Sequence, residues 1–309
     1  MSVSRYYTWL TRFQDVARGL AHDTGQRTLT VHRHLRADDG TVSGDVLHEC
    51  LLDALSATTD AATPVTLDVL DAGCGLGGTI FFLHERLGGR YTGITLSEDQ
   101  RLRAASAAAR RATGDACRFA VRDYDTDLTD LVPGGVDLVI AVESLAHAPD
   151  PAATIARLGA RLRPGGRLLV VDDVPHDDLA RDDADFAAFR AGWLAPSIAS
   201  DAHLSSALAR AGLVVIHDVD LTPRLPERRP AVLAALVWLS DLVAWLARAM
   251  PGGLLVGALH GGLRLERLYR RRQVRYRLIV ARRPGRGPAK QSRALPGSTT
   301  HGGVSSPAG

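Results

Sequence analysis

Short apolar runs alternate with helix-period segments through the middle of the chain, the pattern expected of strands and helices in turn. Strands are predicted near residues 67–72, 90–95, 117–122, 136–142 and 166–172. Helices are predicted near 45–55, at 79–85 after the first strand, at 152–162 before the fifth, and at 202–211. Gly212 follows the last of these, and its freedom at positive φ suits a C-terminal cap. A sixth strand begins at 213–216 and runs to 220–223, and a seventh is 274–281. A crossover rich in Asp and Ala fills 177–191. Strands that alternate with helices predict an α/β fold built on a parallel sheet.

One stretch breaks this rhythm. Residues 223–273 separate the last two strands, and 231–250 are almost wholly apolar. That length approaches the roughly 20 residues a membrane span needs, but Asp241 and Arg248 would be costly near a bilayer centre. The pattern predicts a helix that caps the pocket, with an interfacial helix as the alternative, so 230–262 is a candidate peripheral membrane contact. Residues 264–272 are basic and amphipathic, with Leu263, Leu265, Leu268 and Tyr269 on the apolar side, as on a solvated surface helix. Beyond Pro284 the chain is Gly, Pro, Ser and Ala with little apolar content, a composition expected to be disordered.

Composition narrows the partners. With 309 residues the chain suits one α/β domain with additions. The net charge is +3 and Lys290 is the only lysine, so the basic side is almost all arginine, which with the abundant alanine suggests a GC-rich genome. No basic run alternates with aromatics, and no nucleic-acid partner is expected. Cys50, Cys74 and Cys117 are too few and too scattered for a disulfide framework or a zinc site. The N-terminus lacks the apolar stretch of a signal peptide. These features lead us to expect a cytoplasmic protein without a metal, associated with membranes only if 230–262 serves as an interfacial helix.

The candidate chemistry begins at Asp71-Ala72-Gly73-Cys74-Gly75-Leu76-Gly77-Gly78, where the first strand breaks into glycines and re-emerges as a helix. Such a turn brings bare backbone up to a nucleotide-like ligand. Gly73, Gly75 and Gly78 also satisfy the dinucleotide pattern, but that reading needs an acid at the end of the second strand. Thr95 stands there instead, and the acid closes the first strand at Asp71.

Asp-x-Gly-x-Gly with the acid on the strand resembles motif I of the class I S-adenosylmethionine-dependent methyltransferases. Residues 93–100, Gly-Ile-Thr-Leu-Ser-Glu-Asp-Gln, resemble a narrower branch of sterol, tocopherol and cyclopropane-fatty-acid type enzymes. The third strand ends in Asp123-Tyr124, the fourth continues as Glu143-Ser144-Leu145-Ala146-His147-Ala148-Pro149, and Arg163-Pro164-Gly165-Gly166 turns into the fifth. These motifs run in the family's order over residues 65–175. The resemblance implies a Rossmann-like seven-stranded sheet with helices on both faces and a helical N-terminal lid; family members usually join the last two strands by a short connection, so the long helical insertion expected here is this chain's own departure. With that insertion, the resemblance divides the chain into a lid (1–60), an S-adenosylmethionine-binding core (61–222), the apolar insertion (223–272), the last core strand (273–283) and the tail (284–309).

It also implies roles. Asp71 would meet the methionine amino group, and Gly73 and Gly75 would let the backbone approach. Thr95 and Leu96 would border ribose and adenine, with Gln100 near the ribose hydroxyls. Asp123 would accept from the adenine amino group, and the Tyr124 amide would meet a ring nitrogen.

Glu143 and His147 lie just past the fourth strand, at the sheet edge where such folds bind ligands. Four apart, they share a face if a helical turn follows. The carboxylate suits developing positive charge and the imidazole suits a proton, so both are the catalytic candidates, although His147 also reads as a structural hydrogen-bonding group. Tyr7, in an aromatic cluster with Tyr6, Trp9 and Phe13, and Trp193, after the fifth strand, are substrate-binding candidates; each reads equally as packing or lid anchor. His32 and His34 alternate like metal ligands but lack companions, and are expected in an ordinary loop. The acceptor expected is a small lipophilic, isoprenoid-like or other natural-product molecule, with carbon ahead of oxygen and nitrogen. O- or N-methylation in secondary metabolism, a non-catalytic binder of the cofactor and a nicotinamide oxidoreductase are the alternatives.

Overall fold

The computed structural model describes residue 29 and residues 32–60, 66–247 and 253–285. Tyr7, its aromatic neighbours and the tail from 286 onward lie outside the described residues. A hairpin of β1 (Leu35–Arg36) and β2 (Val42–Ser43) precedes α1 (Asp45–Ala57). Then come β3 (Asp68–Ala72), α2 (Gly78–Leu87), β4 (Arg90–Thr95), α3 (Glu98–Arg110), β5 (Cys117–Val121), β6 (Val136–Val142), α4 (Pro151–Arg161) and β7 (Leu162–Pro175). The second half holds α5 (Ala184–Gly192), α6 (Asp201–Arg210), β8 (Val214–Asp220), α7 (Pro230–Ala247), α8 (Gly253–Arg270) and β9 (Val274–Arg282).

Seven strands form one sheet in the order β5-β4-β3-β6-β7-β9-β8. β3 to β7 are parallel, whereas β9 lies antiparallel between β7 and β8. The central strands are covered on both faces, which is why they read as near-continuous apolar runs. Successive β3 residues feed opposite cores. Val69 joins Leu47 and Leu51 of α1 with Ile80 and Leu83 of α2. Leu70 and Ala72 join Ile155 and Leu158 of α4 with Leu204 and Leu208 of α6. Of the segment assigned to a lid, α1 is therefore packed into the core.

The helix caps follow local chemistry. Ser97 opens α3 by accepting from the Gln100 amide, and Asp150 opens α4 by accepting from Ala152 and Ala153. α6 ends at Gly212, which holds φ +70°. The fifth parallel strand starts earlier than its apolar run suggested: buried Leu162 pairs with Val136, so the preceding helix stops at Arg161.

The insertion is a helix pair. α8 lies close against α5, where a Cβ on Gly192 would come 2.1 Å from the Gly257 carbonyl. The apolar stretch ends at α7, and the basic stretch is the last part of a much longer α8. α7 buries Leu233 and Val237, and exposes Val232, Trp238, Leu239, Leu242, Val243 and Trp245. No helix among the described residues is long and apolar enough to cross a membrane.

Candidate functional site

From β3 the chain winds outward through β4 to β5, then crosses back to place β6 on the other side of β3. Loops leaving β3 and β6 therefore part at the carboxyl edge of the sheet, and a crevice opens between them. It holds a cavity of about 210 Å³ lined by the ends of β3, β4 and β6 and by the segment after β5. Asp71, Gly73, Gly75, Thr95, Leu96, Gln100, Asp123, Tyr124, Glu143 and His147 all line it.

Its floor is the glycine turn. The Gly73 and Cys74 amides both donate to the Ile94 carbonyl, at 3.0 and 2.9 Å, which fixes the turn to β4. Gly73 holds φ +104°, and a Cβ there would sit 2.6 Å from Ser144 Cβ, so only glycine lets β3 pass this close to the end of β6. Beside the turn, Asp71 is 3% exposed, and no hydrogen bond among the described residues reaches its carboxylate. Burial alone pushes its pKa up to about 7. Ser144 Oγ, also on the wall, is buried without a hydrogen-bond partner among the described residues. Unsatisfied polar groups of this kind mark a place where a ligand supplies the partner.

The opposite wall is better tied. Thr95 Oγ1 donates to Gln100 Oε1 at 2.7 Å and accepts from the Ser97 amide at 3.2 Å. Asp123 keeps an exposed carboxylate with one oxygen accepting from the Asp125 amide at 2.8 Å. The Tyr124 phenol donates to the Ser144 carbonyl at 2.8 Å, so that ring spans the cavity from the β5 side to the β6 side.

Glu143 and His147 meet across a short 3-10 turn, Leu145–His147. Glu143 itself adopts φ +50°, an uncommon backbone for a glutamate and one that clusters at functional sites. Its Oε1 accepts from the Arg33 backbone amide at 3.1 Å and from the Tyr276 phenol at 2.8 Å. His147 is lowered in pKa by burial, which outweighs the pull of Glu143. Its Nδ1 donates to the Leu194 carbonyl at 3.2 Å.

Trp193 does not line the cleft. Its indole N–H donates to the Ala258 carbonyl at 3.0 Å, and its ring packs on Phe189; the close α5–α8 crossing draws it away. His32 lines the cleft instead and meets His48, Nε2 to Nε2, at 2.8 Å. His34 plays no part there, and no cluster of three or more metal-binding side chains occurs among the described residues. Sequence reasoning also passed over Arg33, Asp173 and Tyr269. The Arg33 guanidinium forks onto Asp173 at 2.7 and 2.6 Å and donates to the Tyr269 hydroxyl at 2.7 Å. Nothing local in the sequence marks that cluster.

Comparison with known proteins agrees with this geometry. Residues 70–168 match the family model described as a methyltransferase domain. The chain is 27% identical over 247 residues to the probable tocopherol O-methyltransferase, chloroplastic, of Oryza sativa subsp. japonica, covering 75% of this chain and 64% of that protein. A tocopherol O-methyltransferase of Arabidopsis thaliana is 38% identical over 104 residues, 33% of this chain and 29% of its own length. The chain thus spans less than two thirds of these relatives. Among solved structures, geranyl diphosphate C-methyltransferase from Streptomyces coelicolor A3(2) superposes with TM-score 0.61 at 20% identity, covering 92% of this chain and all of that one. The 4+2 cyclase SpnF superposes with TM-score 0.64 at 19% identity, over 92% and 95% of the two chains. At these identities the structural likeness speaks for the fold.

Proposed function

From the chain's membership in the class I S-adenosylmethionine-dependent methyltransferases, we propose that it transfers the methyl group of that cofactor to a small lipophilic acceptor. One observation carries the reading: a buried Asp71 carboxylate, without a hydrogen-bond partner among the described residues, at the head of a glycine turn that requires positive φ. A cationic amino group would give that carboxylate its missing partner, and the donor set fits the cofactor's amino-acid and nucleoside ends. Asp71 would hold the amino group, Gly73 and Gly75 the close backbone approach, and Thr95, Leu96 and Gln100 the ribose side. Asp123 and the Tyr124 amide would hold the adenine. When bound, the cofactor supplies an electrophilic methyl carbon.

The chain's own residues then align, shield and deprotonate. Glu143 sets a carboxylate where positive charge develops. His147, kept neutral by burial, accepts a proton. Carbon is the favoured atom, because the Glu143 carboxylate on the cleft wall suits charge on an alkylated carbon; oxygen is the runner-up, in keeping with what the plant relatives' names say of them.

The exposed face of α7 supports an acceptor drawn from an apolar phase. Trp238 and Trp245 are 67% and 64% exposed amid Val232, Leu239, Leu242 and Val243, and exposed apolar faces of this kind meet partners or lipid surfaces. A second reading is a protein that binds the cofactor in the same cleft without transferring its methyl group. The test is methyl-label transfer from S-adenosylmethionine to prenylated phenols and quinols, with short polar phenols as controls. Label in the prenylated set alone supports the proposal; cofactor binding without labelled product in any supports the second reading.

A further inference from the structure

We infer that Arg33 is a positioning residue for Glu143: lying between it and Asp173, it fixes that carboxylate on the cleft wall. This rests on the reading of Glu143 as the carboxylate beside the methyl donor.

Both hydrogen bonds to Glu143 Oε1 come from groups whose placement depends on the Arg33 side chain. The first donor is the Arg33 backbone amide itself, at 3.1 Å. The second is Tyr276, whose ring lies 4.9 Å from the Arg33 guanidinium carbon. The guanidinium, whose Nε lies 4.0 Å from Glu143 Oε1, is also anchored by groups other than Glu143. It forks onto Asp173 of β7, donates to Tyr269 of α8, and stacks between Trp193 at 4.8 Å and Tyr276 of β9. A planar fork suits both the carboxylate and the rings; an ammonium would keep the charge but lose the fork and the flat stacking. Four separate elements thus set where one backbone amide points, and that amide sets Glu143.

The charges agree. Among the described residues the groups that face Glu143 are His32 and Arg33 from the segment before β1, His147 from the turn after β6, Asp172 and Asp173 of β7, Tyr269 of α8 and Tyr276 of β9. His32 and His147 are held below the ordinary imidazole range by burial. Arg33 is then the permanent cation of this set, facing Glu143, Asp172 and Asp173. Without it three neighbouring carboxyls in a buried region lose their fixed counter-charge.

Binding of S-adenosylmethionine, a cation, against S-adenosylhomocysteine, its neutral product, reads the negative charge at the methyl donor. The wild-type protein should prefer the cation. In Arg33→Met that preference should fall by about fivefold as Glu143 loses its fixed place, and Arg33→Lys, which keeps the charge but not the fork, should recover only part of it. Glu143→Gln should lower the preference by itself, and Arg33→Met should add little in that background. A folded Arg33→Met protein with the wild-type preference overturns the inference. Should Arg33→Met not fold, Arg33→Met with Asp173→Asn, which leaves no charge of the pair unmatched, carries the same comparison. Wild-type protein that binds neither ligand overturns the proposed function and this inference together. Unchanged preference in Glu143→Gln overturns the placement of Glu143, and with it this inference, but leaves the cofactor reading standing.

Discussion

The Tyr276 phenol donates to Glu143 Oε1 at 2.8 Å, joining the last strand of the sheet to the backbone-strained end of β6. Tyr276 is fully buried, so its hydroxyl has no water to fall back on. Tyr276→Phe should cost about 1 kcal/mol in denaturant unfolding. It should also weaken the preference for S-adenosylmethionine over S-adenosylhomocysteine, because Glu143 loses one of two donors. Unchanged unfolding and unchanged preference would show that the bond does not constrain Glu143.

Asp71 gives a pH dependence with a definite sign. Burial raises its folded-state pKa to about 7 from an ordinary value of 3.8, so the folded state binds this proton more tightly than the unfolded chain does. The associated stability is present at low pH and is lost as pH rises from about 4 to about 7. Asp172, raised to about 7 by burial and by Asp173, adds in the same direction. The ligand-free protein should therefore melt progressively lower across that window, and Asp71→Asn should flatten the curve. The same variant should lose about tenfold or more in S-adenosylhomocysteine affinity, the worth of a charged hydrogen bond. Stability lost and affinity kept would reverse both expectations.

Gly73→Ala tests the floor of the cleft. The new Cβ would lie 2.6 Å from Ser144 Cβ in a residue held at φ +104°, and we expect about 1–3 kcal/mol of destabilisation from the backbone conformation, with more from the clash. Pairing it with Ser144→Gly should recover the clash component but not the backbone component, as thermal melts of the two variants would show.

How far these features can be read without coordinates depends on distance along the chain. The glycine turn, Thr95, Asp123 and Glu143 stand at or just past the ends of apolar runs, and a switch of strand order brings strand ends together by topology. The Arg33 cluster is different. Arg33 lies 110 residues from Glu143, 140 from Asp173 and 236 from Tyr269, and no local pattern links them. The placement of β9 between β7 and β8 creates that meeting. Trp193 looked like a cleft wall because it follows the fifth parallel strand; the glycine-lined crossing of α5 and α8, set by Gly192 and Gly257, pulls it elsewhere.

Trp238 and Trp245 lie on the open face of α7, so removing them costs little packing. The wild-type protein should co-float with phosphatidylcholine vesicles containing anionic lipid, and Trp238→Ala with Trp245→Ala should abolish this without changing the melting temperature. Wild-type protein that stays at the bottom of the gradient would remove lipid contact from the account.

Cofactor binding is read from the melting temperature of the purified protein with S-adenosylhomocysteine, with NADH as the control. A ligand bound by the folded state alone stabilises it by about 2.7 kcal/mol at a hundredfold excess over its dissociation constant. A clear upward shift is expected with S-adenosylhomocysteine, none with NADH, and a smaller shift in Asp71→Asn. A shift with NADH and none with S-adenosylhomocysteine would contradict the cofactor reading.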